Sequence, residues 1–158
     1  HRHHFEHEEG RVLTGTLSAE INGRRLRVGV GETAELPRGS AHRWWNDGDD
    51  TLVFVGFATP VVDLDLYLQA MFEIVNAGPA GRPPLFYIAH AMWRHRTTQT
   101  ALMMPRWLQS VLIPGIVLLG TLLGRYRGTD WPGCPAGLAP APHADAGQPT
   151  RPPATRIA

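Results

Sequence analysis

The stretch HRHHFEHEEGRVLTG, residues 1–15, opens the chain with four histidines in its first seven positions. A run of this kind can be a purification tag or part of a metal site. A metal site needs ligands of mixed type at fixed spacing, whereas a tag is only a run of histidines with no related residues elsewhere in the chain. His1 and His3 are two residues apart, so on a strand their side chains leave the same face. Glu8 then adds a carboxylate, and Gly15 offers a tight turn after the strand.

The stretch GETAELPRGSAHRWWN, residues 31–46, supplies a further ligand from elsewhere in the chain. Its glycines and Pro37 are typical of a strand–turn–strand, and His42 follows the turn after three residues. Two imidazoles from one strand, a carboxylate from the next and a third imidazole from a distant strand can surround one divalent ion. This donor set suits iron, manganese, nickel, copper or zinc and leaves coordination positions open for a substrate or dioxygen.

Together the two stretches resemble the two motifs of the cupin superfamily. The first motif is HxH, four residues, Glu, six residues, Gly. The second is Gly, five residues, Pro-x-Gly, two residues, His, three residues, Asn. The matching residues are His1, His3, Glu8 and Gly15 in the first motif, and Gly31, Pro37, Gly39, His42 and Asn46 in the second. A tag would supply none of the later positions, and the short gap between the motifs resembles that of compact bacterial single-domain cupins.

The resemblance implies a mainly β fold, a cupin-type jelly-roll barrel over residues 1–60. It also implies that His1, His3, Glu8 and His42 bind a divalent transition metal (Fe, Mn, Ni, Cu or Zn). The glycine that relatives carry before HxH is missing, as are the opening strands of the barrel. We therefore expect an N-terminally truncated cupin.

The pattern of the first 60 residues independently favours a barrel or a sandwich. Short apolar–polar alternations recur every eight to twelve residues with turn signals between them, which is typical of such folds. Asn22-Gly23 predicts a tight hairpin turn. Trp44 and Trp45 are adjacent on a predicted strand, so one should face the interior and the other the outside.

Residues 61–127 are predicted to form a helical extension, because the apolar period changes from two to three and four. Helices are expected over residues 61–76, 85–96 and 105–124. Residues 128–158 are rich in Pro, Ala and Gly and offer little to bury, so we expect a disordered tail.

The segment WLQSVLIPGIVLLGTLLG, residues 107–124, has 18 residues without a charge. That length is at the lower limit for a membrane span, and Pro114-Gly115 interrupts its middle. Three interpretations stay open: a helix packed on the barrel or across a dimer interface, a helix lying in a membrane surface, and a transmembrane span.

Composition narrows the classes of partner and compartment. The net charge of +1 gives no general attraction to nucleic acid, so none is expected as a partner. The single cysteine, Cys134, excludes an internal disulfide framework and a Cys-based zinc site. We expect a protein that is cytoplasmic or membrane-associated, and a homodimer by default.

The sequence therefore predicts a metal-binding cupin that acts on a small organic molecule, most plausibly as a mononuclear metal-dependent dioxygenase. Glu8 is the candidate catalytic residue, because a carboxylate beside a cation can also act as a base. The alternative is a non-enzymatic module that binds or senses a small ligand and is tethered through its C-terminal helix. Whether the protein is an enzyme stays open at this point, because one fold hosts many activities.

Overall fold

The computed structural model describes residues 1–79 and 84–135, which divide into two compact units. The first comprises residues 1–62 and consists of β-strands, and the second begins at residue 63 and is mainly helical. The prediction of a mainly β fold followed by helices is confirmed. Most of the predicted tail, residues 136–158, lies outside the described residues.

Antiparallel pairing organises the first unit into two three-stranded sheets. The strands are β1 (Arg2–His3), β2 (His7–Thr14), β3 (Leu17–Ile21), β4 (Arg24–Val28), β5 (Thr33–Leu36), β6 (His42–Asn46) and β7 (Val53–Thr59). In one sheet β2 lies between β5 and β7, and in the other β3 lies between β4 and β6. The two motif stretches therefore reach both sheets, since β2 and β5 belong to the first and β6 to the second.

Two turns explain where these strands begin and end. Asn22 and Gly23 have φ angles of 49° and 83°, as the predicted hairpin turn between β3 and β4 requires. Gly15 separates β2 from β3 with a φ of 79°, and a Cβ there would lie 2.9 Å from the carbonyl oxygen of Thr51. Glycine at this motif position is thus required by both backbone conformation and space.

The core of the first unit lies between the sheets. Its buried side chains alternate along the strands with outward-facing ones, the period of two expected from the sequence. They are Val12, Leu17, Ala19, Val28, Ala34 and Leu36. Trp44 packs against this core and meets the ring of Phe54 edge-on at 4.8 Å, whereas the ring of Trp45 lies 5.4 Å from the guanidinium of Arg43. The two tryptophans have different surroundings, as the alternation predicts.

Three helices and a short strand form the second unit. The elements are α1 (Leu64–Ala77), α2 (Leu85–Arg94), β8 (Gln99–Thr100) and α3 (Arg106–Leu122). Each helix falls inside its predicted range apart from the last residue of α1. Ala70 and Ile74 of α1 pack with Ala91 of α2 to make a small core.

An aromatic cluster fixes the segment after α3. The Tyr126 hydroxyl donates to the carbonyl oxygen of Phe86 at 2.8 Å, and its ring lies 4.8 Å from His90 and 5.4 Å from Trp131. Trp131 and Cys134 are buried, although both lie in residues 128–158, which were predicted to form a disordered tail. The Pro/Gly-rich composition thus obscured a short packed segment at residues 128–135.

Replacing Gly120 by Ala should destabilise the chain, and replacing Gly115 by Ala should stabilise it. A Cβ on Gly120 would lie 2.5 Å from the Tyr126 hydroxyl oxygen, while nothing lies within 4 Å of one on Gly115. Ala gains roughly 1 kcal/mol over Gly in a helix, but overpacking costs about 1–3 kcal/mol. Urea unfolding followed by circular dichroism should therefore give opposite shifts for these two variants. Equal shifts would show that Tyr126 does not fill the space beside Gly120.

A stripe of exposed apolar side chains follows α3. Trp107, Val111, Leu118 and Leu122 are between 61 and 73% exposed. At 3.6 residues per turn, they lie within about 60° of one another on the helix. Within the described residues, no helix combines the length and apolar character needed to cross a bilayer.

Candidate metal centre

Three separate strand ends place the four candidate ligands in the first unit. His1 and His3 belong to the opening segment, Glu8 lies on β2 and His42 begins β6. Backbone bonds tie the opening segment to the second motif, because the amide of Gly39 donates to the His3 carbonyl and the amide of His42 donates to the His1 carbonyl, both at 2.9 Å. The turn at Gly39, whose φ is 76°, carries the chain between these two bonds.

The four side chains converge on one point. Nε2 of His3 lies 3.1 Å from Nε2 of His1 and 3.1 Å from Oε2 of Glu8. Nε2 of His42 lies 3.3 Å from Nε2 of His1 and 3.7 Å from Oε2 of Glu8. His3, Glu8 and His42 are buried and His1 is half-buried. In the described residues these four make up a cluster that could hold a metal ion, all ligand atoms lying within 4.8 Å of one another.

The spacing of the ligand atoms matches that expected around one ion. Atoms bound about 2.1 Å from a common centre lie about 3.0 Å apart at right angles and about 3.4 Å apart at the tetrahedral angle. Four of the six separations, 3.1 to 3.7 Å, fall close to these values, and all six lie within 4.8 Å. The donor set of three imidazole nitrogens and one carboxylate oxygen suits a divalent transition metal.

A neighbouring serine orients the ring of His42. Ser40 Oγ lies 3.4 Å from Nδ1 of His42 and donates its own proton to the Pro37 carbonyl oxygen at 2.6 Å. With its own proton engaged, the hydroxyl oxygen can accept a proton from Nδ1, and that tautomer leaves Nε2 with a lone pair directed into the cluster. Burial, reinforced by the adjacent His3, lowers the pKa of His42 to about 4, so this ring is neutral at pH 7.

A buried carboxylate stands behind His3. Glu6 and His3 are both fully buried, and Oε2 of Glu6 lies 3.8 Å from Nδ1 of His3. In the tautomer of His3 with the proton on Nδ1, that proton lies on the side of Glu6. Nε2 of His3 then also presents a lone pair to the cluster.

Lone pairs therefore face one another inside a buried space. Nε2 of His3 and Nε2 of His42 lie 3.1 and 3.7 Å from Oε2 of Glu8. Acceptor atoms at this spacing in a buried setting are stabilised by a cation or a proton between them. The cluster can therefore accommodate a bound cation.

Residues 1–58 match the family model described as the cupin domain. Residues 1–58 are therefore a cupin domain. The match covers both motif stretches and all seven strands of the first unit except the last residue of β7. The predicted resemblance to cupins and the predicted cupin-type jelly-roll fold are confirmed for this part of the chain.

Several solved structures are similar to this chain over about two fifths of its length. A predicted oxalate decarboxylase from Thermotoga maritima is 26% identical with a TM-score of 0.35, over 37% of this chain and 50% of that one. KdgF from Halomonas sp. is 25% identical with a TM-score of 0.35, over 40% of this chain and 58% of that one. A putative sugar phosphate isomerase from Acidithiobacillus ferrooxidans is 28% identical with a TM-score of 0.35, over 38% and 39%. A comparison with curated proteins found no match.

The matched part of this chain thus spans between 39 and 58% of the length of these solved structures.

Sequence reasoning missed two residues beside the cluster, Glu6 and Ser40. Ser40 ends the Pro-Arg-Gly-Ser turn two residues before His42, and Glu6 lies three residues after His3. Their proximity to those histidines in the chain was the available signal.

Proposed function

We propose that this cupin domain binds one divalent transition metal through His1, His3, Glu8 and His42 and acts on a small organic molecule as a mononuclear metal-dependent dioxygenase. The observation that supports the proposal is the convergence of three imidazole nitrogens and one carboxylate oxygen at mutual distances suited to a single ion. When bound, iron, manganese, nickel or copper supplies redox chemistry and open coordination positions for substrate and dioxygen.

The residues around the metal would orient the ligands and accept a proton from the substrate. Glu6 beside His3 and Ser40 beside His42 would orient the two rings so that their Nε2 atoms face the metal. Glu8 is the catalytic residue of the proposal, because its carboxylate can take up a proton from an acidic hydroxyl of the substrate. Burial of His3, Glu8 and His42 strengthens these electrostatic interactions, because the surroundings have a lower dielectric constant than water.

Dioxygen consumption tests the enzymatic proposal. The iron- or nickel-loaded chain should consume dioxygen with a flavonol or a similar phenol, and isotopically labelled dioxygen should place both oxygen atoms in the organic product. The metal-free chain and free metal salts serve as controls. Dioxygen consumption no faster than that of the free salts, with every metal of the set, would contradict the dioxygenase proposal.

A second candidate function is supported by the exposed stripe on α3. In this alternative the cupin domain binds or senses a small ligand without turnover, and α3 lies in a membrane surface. The apolar stripe begins with Trp107, and Arg106 and Arg125 flank its two ends. Aromatic and arginine side chains at the ends of an apolar face suit a surface of anionic lipids.

Sedimentation with vesicles tests the membrane component. The chain should sediment with phosphatidylcholine vesicles that contain about 30% phosphatidylglycerol, and the double variant Leu118→Glu/Leu122→Glu should stay in the supernatant. Phe72→Glu is the matched control, since Phe72 is 52% exposed on α1. A wild-type chain that does not sediment would contradict the membrane component. A dimer that the double variant breaks would instead place α3 at an interface between copies, in line with the expected homodimer.

A further inference from the structure

We propose that the helical unit carries a second small-molecule site, which binds a carboxylate with an apolar body. A cavity of about 420 Å³ lies among α1, α2, β8 and α3. Pockets of about 300–1,000 Å³ are the usual size of small-ligand sites. Every lining residue belongs to the second unit, so this cavity shares no residue with the candidate metal cluster.

Two arginines supply the charge of the cavity. Arg96 and Arg106 both line it and both are exposed, which places their guanidinium groups towards solvent at its edge. No aspartate or glutamate lines the cavity. Among the described residues, neither arginine forms an ion pair with a carboxylate. Two uncompensated cations at one opening favour an anionic ligand.

The Arg96 guanidinium is positioned by two contacts with Trp93. The guanidinium of Arg96 lies 4.0 Å from the centre of the Trp93 ring and donates through Nη1 to the Trp93 carbonyl oxygen at 2.7 Å. The remaining N–H groups of its planar fork stay available for a ligand. A guanidinium fork matches a carboxylate, because two parallel N–H donors meet two oxygens.

Part of the cavity wall is apolar or aromatic. Its side chains include Tyr67, Met92, Trp93 and Ile113. Such a lining binds the hydrocarbon or aromatic part of a ligand through burial of apolar surface.

Two uncharged polar side chains of the lining, Gln109 and Ser110, donate to backbone carbonyl oxygens. Nε2 of Gln109 donates to the carbonyl oxygens of Ala101 at 2.6 Å and Met104 at 2.8 Å. The Ser110 hydroxyl donates to the Trp107 carbonyl oxygen at 2.7 Å. The two arginines are the charged donors of the lining. Cations at the edge and apolar walls inside fit an aryl alkanoate or a short fatty acid.

Calorimetric titration of the full chain tests the site. The probes are 3-phenylpropanoate and octanoate, and the uncharged controls are 3-phenylpropan-1-ol and octan-1-ol. Each acid should bind at least about tenfold more tightly than its alcohol, and Arg96→Gln/Arg106→Gln should remove that difference. Arg94→Gln is the matched control, because Arg94 is exposed on α2 and does not line the cavity.

A blocking variant locates the binding. Ser110→Trp places a large ring at the exposed edge and should abolish binding of both acids, while circular dichroism shows the helices intact. The proposal is overturned if neither acid binds at concentrations up to about 10 mM. Binding that survives unchanged in the double arginine variant or in Ser110→Trp would overturn it as well. All titrations are repeated with a metal chelator present, which should change none of these results.

Discussion

His42→Ala should remove nearly all bound metal from the purified chain. The ring of His42 is buried, and its Nε2 lies 3.3 Å from Nε2 of His1, so the variant removes one of the four converging ligands. Partners that only orient a ligand are worth about 10–100-fold in metal affinity, so loss of a ligand should cost more than about 100-fold. Elemental analysis of protein purified without a tag measures the metal content directly.

The matched control for this experiment is His7→Ala. His7 is a half-buried histidine on β2 that lies outside the cluster. It should leave the metal content unchanged, and the far-ultraviolet circular dichroism of both variants should retain the strand signal. Metal content that falls equally in both variants would show that the ion is bound by the histidine-rich segment at large rather than by the four converging side chains.

Glu8→Gln should abolish turnover even where metal is still bound. The amide keeps the size of the carboxylate but removes its charge and its capacity to take up a proton, and general base catalysis contributes about 10²–10⁴-fold to rate. Dioxygen consumption is measured with the variant at saturating metal. The metal affinity should also fall, because the one negatively charged ligand is lost.

Glu9→Gln separates this effect from a general change of charge. Glu9 neighbours Glu8 on β2 and, by strand alternation, points to the opposite face; its carboxylate lies 3.6 Å from Nε2 of His7. Its variant should retain both metal and rate. Activity of metal-saturated Glu8→Gln within about threefold of the wild-type rate would exclude Glu8 as the base while leaving the metal assignment intact.

The fold and the candidate cluster could be predicted from the sequence, because both depend on the spacing of particular residues along the chain. Strand alternation places His1 and His3 on one face, and the turn glycines Gly15 and Gly39 adopt the positive φ angles that their motif positions predict. The remaining step, from two distant stretches to one cluster, came from resemblance to a family. Periodicity alone left a barrel and a sandwich equally open.

Other features could not be read from the sequence, because they depend on contacts between distant parts of the chain. Burial of Trp131 requires the rings of Tyr126 and His90, and a Pro/Gly-rich composition gives no sign of that packing. The orienting role of Ser40 requires the hydroxyl to use its proton on Pro37, a detail of one turn. The cavity beside Arg96 arises only where α2 and α3 come together.

The most direct test of the central claim is a crystal structure of the chain grown with cobalt(II) or manganese(II), with an anomalous difference map. We expect one strong peak about 2.0–2.3 Å from Nε2 of each of His1, His3 and His42 and from a Glu8 carboxylate oxygen. An empty cluster in crystals that hold the metal elsewhere, for example on His4 and His7, would contradict the account.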